Sequence, residues 1–143
     1  MSIQPTYANL EQSKALQDKN FDEPCHAMYH SALNSSGKEE IIIVREFKDV
    51  HQNKFHGQIC SAPEQWQVIE FLRINHGIWI SVGIDETEGK ITYYAVIHKI
   101  EKFKLFKKQP PIMGVGVKKE MFGFNSPQEA YSAAFSYVLS KLI

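Results

Sequence analysis

The side chains best suited to chemistry are six histidines and two cysteines. Cys25-His26 is followed by His30, and His51, His56 and Cys60 form a second group. Imidazole and thiolate are the usual zinc ligands, so a metal centre is the first chemistry to test. The spacing argues against it. In an extended segment His26 and His30 share a face but stand about 13 Å apart, whereas one zinc draws both nitrogens to within about 2.1 Å of itself. A Cys-x2-Cys knuckle is also missing. The expected roles are exposed histidines near strand ends and buried thiols behaving as small hydrophobes. A Cys25–Cys60 disulfide would need an oxidising compartment. The opening Met1-Ser-Ile-Gln-Pro-Thr carries neither the basic nor the apolar region of a secretory signal, so reduced thiols and a cytoplasmic location are expected.

Nucleophilic catalysis finds little support. The chain has no Gly-x-Ser-x-Gly elbow. Cys25 and His26 are neighbours and would point to opposite faces of a strand. Cys60 with the distant His98 is the remaining thiol–imidazole combination. Asp85 and Glu88 fall in an apparent hairpin turn, where solvation is a better expectation than paired acid–base work. Gly114-Val-Gly116-Val-Lys-Lys119 has a phosphate-loop look but lacks the Gly-Lys-Ser/Thr ending and the strand-to-helix setting. No catalytic residue, metal ligand or cofactor is expected.

Charge is more informative. Sixteen Lys and Arg balance sixteen Asp and Glu, and a neutral total argues against nucleic-acid binding. The balance is a cancellation. Residues 98–119 carry a net +6, against −5 before them and −1 after. The basic residues there are Lys99, Lys102, Lys104, Lys107, Lys108, Lys118 and Lys119, with Phe103 and Phe106 interleaved. Bases alternating with aromatics suit phosphate contact and base stacking. They also suit, and better, a solvated sheet edge that lysines protect from further pairing. None of these bases is Arg, the side chain for bidentate phosphate recognition.

The elements that must position these residues read as follows. The 143 residues suit one domain with a real core, and 43% hydrophobic against 22% charged is an ordinary globular mix. No apolar run approaches the ~18 residues of a membrane span. Asn9 caps a short helix from Leu10 to about Lys19, with Phe21 as its dock. Ala27–Leu33 and Ile41–Phe47 read as strands joined by the turn residues Asn34 to Lys38. Lys48–Gly57 reads as a loop. Ser61-Ala-Pro-Glu64 has the form of a capping box for a second helix whose buried face is Trp66, Val68, Ile69, Phe71 and Leu72, with Gln67 outward. Gly77 stops that helix. Ile78–Asp85 and Ile91–Ile100 form a hairpin around Glu86–Lys90, Gly114–Met121 an edge strand, and Ser126-Pro-Gln-Glu129 caps a last helix. That helix has Tyr131, Ala134, Phe135, Val138 and Leu142 on one face, and Ala130 and Ala133 allow close approach to a sheet. The expected fold is a single α+β domain spanning 1–143, with one antiparallel sheet of about four to five strands and two or three helices.

Three stretches together carry a resemblance. They are Leu10-Glu-Gln-Ser-Lys with Phe21-Asp-Glu-Pro-Cys25; Cys60-Ser-Ala-Pro-Glu-Gln-Trp-Gln-Val-Ile-Glu-Phe-Leu72 with His76-Gly-Ile-Trp-Ile80; and Ser126-Pro-Gln-Glu-Ala-Tyr-Ser-Ala-Ala-Phe135. In this order the chain resembles a group of small phage and prophage proteins of Bacteroidetes-type bacteria. The resemblance brings no catalytic residues with it. It implies an accessory protein that binds a host defence enzyme in the bacterial cytoplasm, as anti-CRISPR proteins do, some of them against RNA-targeting type VI effectors. The expected partner is such a CRISPR effector, with its guide RNA, and no membrane. The basic segment 98–119 is the expected contact. Two other functions stay open, a structural or dimerising accessory protein that uses a sheet edge, and a small nuclease using His51 or His56. A monomer and a homodimer are both compatible with the sequence.

Overall fold

A computed structural model describes residues 5–45, 57–103 and 112–143. Among the described residues three helices and six strands follow in the order α1 Leu10–Asp18, β1 Met28–Leu33, β2 Glu39–Val44, β3 Gln58–Ser61, α2 Gln65–His76, β4 Ile78–Thr87, β5 Lys90–Phe103, β6 Ile112–Phe124 and α3 Pro127–Lys141. The class is α+β, as expected. The single sheet of four to five strands is not. The strands form two antiparallel sheets of three, ordered β2-β1-β3 and β4-β5-β6. The reason is local. Each sheet is made of strands close in sequence, and the helix α2 with its glycine stop separates the two sets. By its internal contacts the chain divides into two compact units, Met1–Val68 with Leu139–Ile143, and Ile69–Val138, with boundaries inside α2 and α3. Among the described residues no helix is long and apolar enough to cross a membrane.

In the first unit, α1 starts as the sequence requires. The Asn9 side chain accepts from the Gln12 amide at 2.9 Å, and the Gln12 side chain accepts from the Asn9 amide at 3.1 Å. This reciprocal box satisfies two orphan donors and contributes about 1 kcal/mol. Leu16 and Phe21 are fully buried, so the short helix is held by packing rather than by propensity. β1 pairs β2 from Met28↔Val44 to Leu33↔Glu39, around a turn in which the Asn34 carboxamide accepts from the amides of Ser36 and Lys38.

β3 was not legible in the sequence, and it corrects the expected start of α2. Ser61 is a buried strand residue opposite Met28, not a helix cap. The amide of Ala62 donates to the Ala27 carbonyl, and the Pro63 carbonyl accepts from Ala8, which holds the segment extended. The helix therefore begins three residues later. Glu64 takes the cap position, where the Gln67 side chain accepts from its amide at 3.0 Å. Gln67 borders the buried face, and its Nε2 donates to the Pro24 carbonyl at 2.7 Å. Trp66 is 59% exposed, against expectation, because helical spacing sets it opposite the buried Val68, Phe71 and Leu72. Val68, Phe71 and Leu72 are buried as their spacing requires.

The second sheet is entered at Gly77. Its φ of +64° is the left-handed cap that the helix stop demands, and its carbonyl accepts from the Ile100 amide at 2.8 Å. β4 and β5 pair without a break from Ile78↔Lys99 to Thr87↔Lys90. The connection is shorter than the expected Glu86–Lys90. It is Glu88-Gly89 alone, both with positive φ, the backbone of a tight hairpin that follows strand twist. β6 is the expected edge strand, extended to Ile112–Phe124. Ile78, Ala95 and Ile97 are buried on one face of this sheet, and Ala130, Ala134, Phe135 and Val138 are buried on α3. Tyr131 is only half-buried. Ser126 Oγ accepts from the Glu129 amide at 3.2 Å, while the Glu129 carboxylate reaches one residue further back, to the Asn125 amide at 3.0 Å.

Candidate functional site

Strand alternation divides the second sheet into two faces. On the inner face Ile78, Ile80 and Val82 stand opposite Lys99, Ile97 and Ala95. Lys119 lies opposite Ile97 on this face, with its ammonium 5.5 Å from the centre of the Tyr137 ring of α3. The outer face carries Trp79, Ser81, Gly83 and Asp85 on β4. It carries His98, Val96, Tyr94 and Thr92 on β5, and Lys118, Glu120 and Phe122 on β6. None of these outer side chains is buried, and Trp79 and Phe122 are 52% and 61% exposed. A sheet face bearing two exposed aromatic rings and a half-buried third is unusual, because such surface is normally spent on packing or on a partner.

Each ring is held in place. Trp79 lies under the guanidinium of Arg73, 5.4 Å from its ring centre, and that guanidinium bonds Glu70 through two nitrogens. Arg73 holds the Glu70 carboxyl below its ordinary range. Tyr94 lies over Gly83, where any Cβ would strike its ring, and its ring centre is 5.7 Å from that of Phe122. Lys118 bonds Glu120 at 2.7 Å and holds that carboxyl below its ordinary range. His98, across from both Trp79 and Lys118, has a buried Nε2 without a hydrogen-bond partner among the described residues. Beside Trp79 a hollow of about 380 Å³ opens at the end of α2, lined by Arg73, Ile74, His76, Gly77 and Ile100.

The basic segment singled out by charge is thus split. Lys118 belongs to the outer face and is ion-paired, whereas Lys99 and Lys119 belong to the inner face. Lys102 and Phe103 end β5, opposite Met113 and Ile112. Lys104, Phe106, Lys107 and Lys108 lie outside the described residues, as do His51 and His56. Gly116 is a strand position that leaves room for the Glu101 side chain, with no phosphate-loop turn. The aromatic residues of the outer face were the missed part. The alternation placing Trp79 opposite the Ile78 face was visible, but only the pairing of three strands brings Trp79, Tyr94 and Phe122 to one surface.

The cysteines serve a different purpose. Both are free thiols and buried in the first unit. Burial pushes each of them up to about 11. Cys25 Sγ donates to the Glu23 carbonyl at 3.3 Å. A thiol so disfavoured as thiolate is a packing group rather than a nucleophile. No three His, Cys, Asp or Glu side chains gather as a metal site among the described residues. Compared with family models, curated proteins and solved structures, the chain has no significant match. The phage resemblance rests on the three quoted stretches alone.

Proposed function

We propose that this protein acts by binding rather than by catalysis, and that the outer face of β4, β5 and β6 is its contact surface. One observation carries the reading: three aromatic rings, two of them exposed, stand on one sheet face, each positioned by a neighbour, with Arg73, Lys118 and His98 between and around them. Rigid aromatics flanked by cations are the groups that dominate protein interfaces, and they also stack on unpaired bases. The sequence resemblance selects the partner to test, a host defence nucleoprotein of the RNA-targeting CRISPR type with its guide RNA. Of the lysines of 98–119, Lys118 lies on this face and adds a cation to the contact.

The test uses a purified type VI effector loaded with guide RNA. Added protein is expected to form a complex and suppress target-RNA cleavage. Trp79→Ala combined with Phe122→Ala is expected to weaken binding by about tenfold or more. Charge reversal at Lys118 is expected to weaken it less and to reduce its salt dependence. Unchanged cleavage, with no complex to effector or guide RNA, overturns the reading. RNA cleavage by the protein itself, lost on substituting His51 or His56, would favour the nuclease alternative.

A further inference from the structure

The hollow beside Trp79, about 380 Å³, is lined by Asn75 as well as by the residues already named. Its size lies at the small end of ligand pockets, which run to roughly 300–1,000 Å³. Its walls are of three kinds. Trp79 and Ile74, both more than half exposed, supply apolar surface, and the indole makes its part flat. The Arg73 guanidinium lies over that indole and is neutralised by Glu70. Asn75 is exposed, and its Nδ2 donates to the Phe71 carbonyl at 3.2 Å. One N–H is used there, which leaves the carboxamide its oxygen and its second N–H, an acceptor and a donor side by side.

These walls select the ligand. A phosphate or carboxylate would meet no uncompensated cation, because Arg73 is bound to Glu70, and it would sit at the carbonyl end of α2, the negative pole of the helix. A cationic group would be set beside the guanidinium. A purely apolar group would cover the Asn75 carboxamide without pairing it. An uncharged flat ring with donors and acceptors along its edge satisfies indole and carboxamide together. Nucleobases have that build: aromatic side chains stack on their faces, and asparagine reads their edges. We propose that the hollow takes one unpaired nucleobase of a single-stranded RNA, packed against Trp79 and read at its edge by Asn75. A base in a duplex has its faces and its edge already occupied. The inference rests on the reading of the outer face as a contact surface and names what one part of it holds.

The test uses the full chain without any effector, and the four common ribonucleosides as probes. The chain has two tryptophans, so a proton–nitrogen correlation spectrum carries two indole N–H signals, which Trp66→Phe assigns. The nucleosides are expected to shift the Trp79 signal saturably at roughly millimolar concentration, with Trp66 unmoved. Ribose 5-phosphate, which has the sugar and the charge without the base, is expected to shift neither. Asn75→Ala is expected to weaken nucleoside binding several-fold while the rest of the spectrum stays that of the folded chain. A single-stranded RNA of mixed sequence is expected to bind, and Trp79→Ala to weaken it about tenfold. The proposal is overturned if no nucleoside moves Trp79, if ribose 5-phosphate acts as strongly, or if Asn75→Ala binds like the wild type. N-acetyltyrosine amide binding more tightly than every nucleoside also overturns it, in favour of a protein side chain. Nucleoside binding by a chain that leaves the effector active faults the proposed function alone. Its absence in a chain that inhibits the effector faults this inference alone.

Discussion

The first sheet is built from strands of six, six and four residues, the second from strands of ten, fourteen and thirteen. The difference extends to their polar groups. In the first unit these are spent on the unit's own backbone. Gln67 donates to Pro24, the Tyr29 hydroxyl to Ala8 at 2.8 Å, Ser13 to the same carbonyl, and Cys25 to Glu23. Short strands supply few ladder bonds, so side chains must complete the satisfaction of a buried backbone. In the second unit long ladders join the three strands. On its outer face Trp79 and Phe122 are more than half exposed and Tyr94 is half-buried. One unit spends polar side chains on its own backbone, and the other carries aromatic rings on the outer face of a long ladder.

The strongest way to break this contrast is to truncate one aromatic from each unit. Phe21 is fully buried, and Phe21→Ala is expected to cost about 3–5 kcal/mol in denaturant unfolding. Trp79→Ala, a change of larger volume, is expected to cost less than about 1 kcal/mol while weakening partner binding. Equal losses of stability would show that the outer face is part of a core.

The buried thiols sharpen the contrast through pH. In the unfolded chain each ionises near its ordinary value of 9, and in the folded one only near 11. Below pH 9 both states hold the proton, and the stabilising effect is complete. Between pH 9 and 11 the unfolded chain releases protons that the folded chain keeps, so stability falls. The loss is expected to reach about 2 kcal/mol per thiol. Denaturant midpoints at pH 8 and pH 11 measure it, and Cys60→Ala should make the decline shallower.

Smaller effects come from the helix cap and the surface pair. Asn9→Ala removes the reciprocal box and is expected to cost about 1 kcal/mol, read as a shifted midpoint with an unchanged slope. Glu120→Gln breaks the ion pair with Lys118 on the outer face, and no measurable change of stability is expected. It releases a lysine to a polyanionic partner, so binding at low salt should strengthen. A Glu120→Gln variant that unfolds more readily would make that pair structural rather than available.

How much of this was legible in the sequence depended on range. Asn9, Gly77 and Ser126 act within four residues of themselves, and their caps follow from local stereochemistry. The hairpin turn at Glu88-Gly89 was located but drawn too wide, because strand ends depend on how far the partner strand continues to pair. Ser61 showed a valid capping pattern and still became a strand residue. Its neighbours Ala62 and Pro63 bond Ala27 and Ala8, which are distant in sequence. The candidate site divided along the same line. The basic run 98–119 was visible, while its division between two faces, and the aromatic surface beside it, were not.

By itself the sequence determined the three helices, the two hairpins, the edge strand β6 and the absence of charge from Ile78 to Ile84. These depend on caps, turn residues and period-two alternation, all of which act over a few residues. Only the tertiary structure decided that the strands form two sheets, that β4 is an edge, and that Trp79, Tyr94 and Phe122 share one face. Those properties depend on which strands pair. Pairing compares burial and hydrogen bonding between segments tens of residues apart, which no local pattern encodes.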